Sequence, residues 1–170
     1  MTRKTRLATV WLDGCSGCHM SLLDLDEALI PLAGKIDLVY GPLVDAQEFP
    51  KAVDVTVVEG AVSSRDDLEK ARLLRQRSKL VVALGDCAVT SNVPAMRNNI
   101  PVQKLLEGVY GTAPTVGVPP LLRHAVPLHD AINVDLHVPG CPPSAQTIAF
   151  VLGELLEGRV PDLAGKVSFG

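Results

Sequence analysis

The sequence is short of aromatic residues, of cysteine and of long uncharged runs, and each shortage excludes a class of protein. Phe, Trp and Tyr make up 4% of 170 residues, too little for an aromatic-rich sandwich. The apolar content is mostly Val, Leu and Ala, which suits strands buried on both faces beneath helices. Four cysteines are too few for a disulfide scaffold, and a chain of this length can bury a core without staples. An excess of positive charge is also missing: the net charge of −3 argues against a duplex-binding surface. The longest uncharged stretches, 108–122 and 136–153, carry several Gly and Pro and do not read as membrane-spanning helices. Residues 1–6 are basic but hold no twin-arginine pair, and the apolar run 7–12 is too short for a signal segment. The expectation is a cytoplasmic, reducing location, where thiols bind metals or do redox chemistry. With 47% hydrophobic and 21% charged residues, the composition is that of one globular domain spanning 1–170.

Short β-branched runs alternate with helical patterns. Residues 7–12, 36–40, 53–58, 80–84 and 134–138 read as five strands. Residues 21–30 predict a helix with Leu22, Leu25 and Leu29 on one face. Residues 65–77 predict another, opened by Ser63 and Ser64 with Asp66 and Asp67 following in a capping-box arrangement. Pro142 and Pro143 are expected to preset the first turn of a third helix, which presents Ile148, Val151, Leu152 and Leu155 and stops at Gly158. Strands alternating with helices imply right-handed crossovers and a flavodoxin-like α/β fold, a doubly wound and mainly parallel sheet with helices on both faces. The stretch 97–132, with Pro101, Pro114, Pro119, Pro120 and Pro127, reads as mostly irregular apart from a short helix near 102–106. It is the candidate docking segment.

The cysteines fall after strands. Cys15 and Cys18 form a C-x-x-C in Asp13-Gly14-Cys15-Ser16-Gly17-Cys18, Cys87 follows a strand in Gly85-Asp86-Cys87, and Cys141 follows the last strand in Pro139-Gly140-Cys141-Pro142-Pro143. In a parallel sheet all strand C-termini open on one edge, so the four thiols are delivered together. Four thiolates suit zinc or an iron–sulfur cluster. One close pair joined by two isolated cysteines, on a scaffold that needs no metal to fold, favours a [4Fe–4S] cluster gripped from several loops. A strand, a C-x-x-C and a helix also make the thioredoxin arrangement for disulfide exchange. That alternative leaves Cys87 and Cys141 without a role.

Other residues carry weaker signals. Asp13, Gly14, Glu59 and Gly140 are candidates for hydrogen bonding around the thiols. Glu59 follows the third strand and reads as a proton-relay or hydrogen-bonding acid, or as a solvated loop carboxylate. Asp13 and Asp86 stand close to cysteines, where extra negative charge would lower a cluster's potential, but turn formation is the plainer reading of both. His19, His124, His129 and His137 show no metal-ligand spacing. No G-x-G-x-x-G is present, so no motif assigns FMN, although a flavodoxin-like sheet can take it.

At these residues the sequence resembles the small, electron-transferring subunits of [NiFe] hydrogenases. The resemblance runs over Val10-Trp11-Leu12-Asp13-Gly14-Cys15-Ser16-Gly17-Cys18-His19-Met20-Ser21, Val58-Glu59-Gly60-Ala61, Gly85-Asp86-Cys87-Ala88-Val89 and Pro139-Gly140-Cys141-Pro142-Pro143. The extension Thr90-Ser91-Asn92-Val93-Pro94-Ala95-Met96-Arg97 resembles the short small subunits of cytoplasmic, bidirectional NAD-reducing hydrogenases. The resemblance implies that Cys15, Cys18, Cys87 and Cys141 ligate a proximal [4Fe–4S] cluster facing the nickel–iron site of a separate large subunit. With no cysteine after Cys141 for further clusters, it also implies direct electron passage to an iron–sulfur and flavin diaphorase module. Docking would suit the positive mean hydropathy of +0.25. The cluster-bearing subunit of respiratory complex I shares the Gly-Cys-Pro-Pro turn but has adjacent cysteines in place of C-x-x-C, and is the second family the motifs resemble.

Overall fold

The computed structural model describes residues 3–112 and 116–170; Pro114 and the first two residues of the basic N-terminus lie outside them. The five expected strands form, with ends moved by one or two residues: β1 Thr5–Trp11, β2 Ile36–Tyr40, β3 Val53–Glu59, β5 Ser78–Leu84 and β7 Leu136–Val138. All pair in parallel, in the order β2-β1-β3-β5-β7. Omitting the two short strands of a separate sheet, that is the flavodoxin order, with its switch point between β1 and β3.

Alternation along the central strands divides the core between the two faces. Ala8, Val10, Val58, Val81 and Ala83 point to one side, where Ala71 and Leu74 of α3 (Arg65–Arg77) cover them together with Ala88 and Leu128. Leu7, Val55, Val57, Val82 and Leu84 point to the other, beneath Ile148, Val151 and Leu152 of α7 (Ala145–Leu156) and beside Cys18 of α1 (Gly17–Leu23). Near-continuous apolar strands of this kind are what burial on both faces requires. Helix α3 has the predicted bounds and a complete capping box: the Ser64 hydroxyl accepts from the Asp67 N–H, and the Asp67 carboxylate accepts from the Ser64 N–H.

Three expectations are corrected. The single helix over 21–30 is replaced by α1, a 3-10 turn at Asp26–Ala28, and α2 Leu29–Lys35. Pro31 has no N–H to continue a helix arriving from upstream, but sits without penalty in the first turn of a new one. Pro142 and Pro143 lie before α7 and outside its first turn, because Ser144 takes the N-cap and its hydroxyl accepts from the Thr147 N–H at 3.1 Å. The stretch 97–132 is more regular than expected. It holds the end of a 3-10 helix Val93–Asn99, then α5 Val102–Tyr110, β6 Leu121–Val126 and α6 Leu128–Ala131. Strand β6 pairs antiparallel with β4 Val62–Ser64 in a two-stranded sheet, and α4 Asp86–Thr90 follows β5.

Candidate metal centre

The sheet register explains why the cysteines meet. Trp11 of β1 lies opposite Glu59 of β3, Glu59 opposite Leu84 of β5, and Leu84 opposite Val138 of β7. These four residues form one row along the C-terminal rim, and the chain leaves that row into the Cys15–Cys18, Gly60, Cys87 and Cys141 turns. The thiols graduate outward: Cys18 is buried, Cys87 half-buried, and Cys15 and Cys141 exposed. No disulfide joins them.

Their mutual proximity is visible in their acidities. Burial first, then the Glu59 carboxylate, then Cys87, Cys15 and Cys141 hold the Cys18 thiol well above the ordinary range. Burial, followed by Cys141, Cys15, Glu59 and Asp13, pushes Cys87 up to about 11. Gathering four prospective thiolates and a carboxylate is costly without compensating positive charge. A bound metal would supply that charge, since a metal draws protons off its thiols. A nucleophilic C-x-x-C of the thioredoxin kind shows the opposite trend, with a lowered thiol pKa.

The backbone around the thiols is shaped for close approach. Gly85, at φ +82°, would carry a Cβ only 2.2 Å from the Cys18 sulfur. Gly60, at φ +95°, lets the β3 exit lie against β1, where a Cβ would come within 2.8 Å of the Leu12 carbonyl carbon. That contact is fixed by paired bonds between Asp13 and Ala61, 3.1 and 2.8 Å. Gly14 backs onto Gly60, and its carbonyl accepts from the Trp11 indole at 3.1 Å.

Glu59 is not a solvated loop carboxylate. It ends β3, is 2% exposed, and its Oε2 accepts from the His19 backbone N–H at 3.0 Å and stands 2.5 Å from the His19 Nδ1. His19, which spacing alone left without a role, is thus a buried partner of Glu59, and its Nε2 is buried without a hydrogen-bond partner. Asp86 is likewise more than a turn former. Its carboxylate is buried and accepts from the Gly140 N–H at 2.6 Å and the Gly170 N–H at 2.7 Å. Neither role had a local signal, because the partners lie 40, 54 and 84 residues away. The other three histidines stand apart: His129 and His137 stack edge to face, and His124 is exposed.

Among the described residues, no three His, Cys, Asp or Glu side chains approach closely enough to share a single metal ion. Tetrahedral zinc needs sulfurs about 3.8 Å apart, from a Zn–S bond of about 2.3 Å.

A flavodoxin-type sheet with thiol-bearing turns along its C-terminal rim defines a class, and the chain belongs to the NADH ubiquinone oxidoreductase, 20 Kd subunit family, whose profile matches residues 15–155. Proteins similar to the chain include hydrogenase subunits. The chain is 33% identical to the NAD-reducing hydrogenase HoxS subunit delta of Cupriavidus necator, covering 97% of this chain and 85% of that one. It is 36% identical to a subunit of the F420-non-reducing hydrogenase (vhu) of Methanocaldococcus jannaschii, covering 98% of this chain but 61% of that one. The chain therefore spans under two thirds of that relative's length. A solved NAD+-reducing [NiFe]-hydrogenase in the H2-reduced state contains a chain matched at 35% identity with a TM-score of 0.92, covering 99% of this chain and all of the other. No helix among the described residues is long and apolar enough to cross a membrane.

Proposed function

We propose that this chain is the electron-transfer subunit of a soluble, cytoplasmic NAD-reducing [NiFe] hydrogenase, and that Cys15, Cys18, Cys87 and Cys141 hold one [4Fe–4S] cluster. The observation that carries the proposal is the delivery of four thiols from three strand ends to one rim, two of them exposed, in a chain that closely matches a subunit of such an enzyme. When bound, the cluster supplies reversible storage of one electron at a time between the nickel–iron site of a large subunit and a diaphorase module bearing iron–sulfur and flavin groups.

The chain's residues supply position, surroundings and access. Cys18 is anchored in the core beside Leu84 and Val138, so the centre is tied to the rigid part of the sheet. Glu59 accepts the His19 backbone N–H and pairs with the His19 Nδ1, and thereby fixes the first turn of α1, which carries Cys18. Ser21 on the same helix donates to the Pro143 carbonyl at 2.6 Å and joins the first cysteine turn to the last. Exposed Trp11 at the end of β1, with exposed Met20, Val93 and Met96 on the segments that follow β1 and β5, gives that rim an apolar surface for the large subunit to cover.

Replacing Cys87 or Cys141 by Ser tests the ligand set against disulfide exchange. The proposal expects either change to abolish retention of iron and sulfide. An unaffected cofactor, or disulfide turnover that needs only Cys15 and Cys18, contradicts it. Copurification with a nickel-containing subunit tests the partner assignment.

A further inference from the structure

We infer that Asp86 is a positioning residue for the metal centre: its buried carboxylate locks the Cys87 turn, the Cys141 turn and the segment 163–170 into one unit and places a fixed negative charge beside the thiols. The inference rests on the assignment of those thiols to a [4Fe–4S] cluster.

Asp86 is 3% exposed and stands between Gly85 and Cys87 at the start of α4. A turn-forming aspartate bonds its own backbone a residue or two on. Asp86 instead reaches across the fold. Its Oδ1 accepts from the N–H of Gly140, the residue before Cys141, at 2.6 Å, and its backbone N–H donates to the Gly140 carbonyl at 2.9 Å. Two ligand turns, one following β5 and one following β7, are therefore bonded reciprocally to each other. Its Oδ2 accepts from the Gly170 N–H at 2.7 Å, which brings Gly170 against the Cys141 Cβ. The segment leading there is itself fastened: Leu163 and Val167 pack on the core beneath α7, and the Lys166 carbonyl accepts from the Thr147 hydroxyl at 2.9 Å. Between it and the Cys141 turn lies a cleft of about 270 Å³ bounded by Pro139, Thr147 and Val167.

Among the described residues no Lys, Arg or His pairs with Asp86. A buried carboxylate is costly unless hydrogen bonds satisfy it, and here backbone N–H groups do so on both oxygens. Asparagine cannot reproduce that arrangement, since its amide nitrogen would face one of the two N–H donors. The negative charge, held next to a ligand cysteine without a countercharge, favours the oxidised cluster.

The test uses the anaerobically prepared full-length chain, with iron and sulfide assay, EPR-monitored potentiometry and the rate of iron release to a ferrous chelator. Asp86→Asn should keep the wild-type far-UV circular dichroism and iron content, shift the midpoint potential to a more positive value, alter the EPR g-values, and release iron about tenfold faster, the scale on which lost outer-sphere bonds weaken metal binding. Asp67→Asn, which weakens the cap of α3 away from the centre, should leave potential and release unchanged. Wild-type potential, EPR signal and release in Asp86→Asn would overturn the inference. Should that variant not fold, Asp86→Glu decides: it keeps the charge but displaces the oxygens by one methylene, so release should accelerate while the potential stays near wild type, and wild-type release there overturns the inference equally. A folded wild-type chain that takes up no iron or sulfide would instead remove the cluster assignment, and this inference with it.

Discussion

Gly85→Ala is the sharpest stability prediction, because the same substitution made at Gly153 should act in the opposite direction. Gly85 has φ +82° and ψ 160°, a region that residues with a Cβ occupy at a cost of about 1–3 kcal/mol. The added methyl would lie 2.2 Å from the Cys18 sulfur. That sulfur cannot swing away as the tip of a long side chain could, because Cys18 is packed among Leu84, Val138 and Ile148; overpacking of this kind costs about 1–3 kcal/mol. Together the two effects predict a loss of about 2–6 kcal/mol. With a urea slope of about 2 kcal/mol per molar, the unfolding midpoint should fall by roughly 1–3 M. Gly153 lies inside α7 with open space where a Cβ would go, so Gly153→Ala should stabilise the chain by about 0.5–1 kcal/mol through reduced unfolded-state entropy. Urea unfolding of the metal-free chain followed by circular dichroism measures both. Equal midpoints for Gly85→Ala and wild type, or shifts of the same sign in the two variants, would refute the reasoning.

Two further predictions concern the scaffold. Leu74 is fully buried between α3 and the sheet, so Leu74→Ala should cost about 3–5 kcal/mol in the same assay. Burial alone would raise the Asp54 pKa, but hydrogen bonds from Lys79 and the Arg6 N–H, with the charges of Arg3 and Lys79, hold it below the ordinary carboxylate range. Because the folded-state value is the lower one, the stabilisation is present above the unfolded-state pKa of about 3.9 and is lost as pH falls from there through the folded-state value. Urea midpoints measured between neutral and strongly acidic pH should drop less steeply for Asp54→Asn than for wild type.

Much of the fold was legible because its signals are local. Valine-rich runs bounded by turns mark strands buried on both faces, and Ser64 with Asp67 marks the start of α3 at the observed residue. The grouping of the thiols followed from one topological rule, that parallel strands end on a common edge. Signals that depend on distant partners were not legible. Strand β4 is three residues long and forms only by pairing with β6 some sixty positions later, and neither segment announces the other. The helix expected over 21–30 stopped short of Pro31, but the interruption falls about a turn earlier, between Leu23 and Leu29, where the leucine spacing reads as continuous. Glu59 could be placed at the rim but not assigned a partner, since burial and the bond to His19 emerge only when α1 folds back over β3. Asp86 looked like a turn residue for the same reason, its acceptor geometry depending on a glycine 54 residues away.

The central claim, that Cys15, Cys18, Cys87 and Cys141 together hold one cluster, is tested most directly by anaerobic purification with iron and sulfide assay and EPR of the reduced protein. The account predicts about four irons and four sulfides per chain, as one Cys-ligated [4Fe–4S] cluster requires, with an EPR signal from the reduced form. Stoichiometric zinc with no visible chromophore would contradict it.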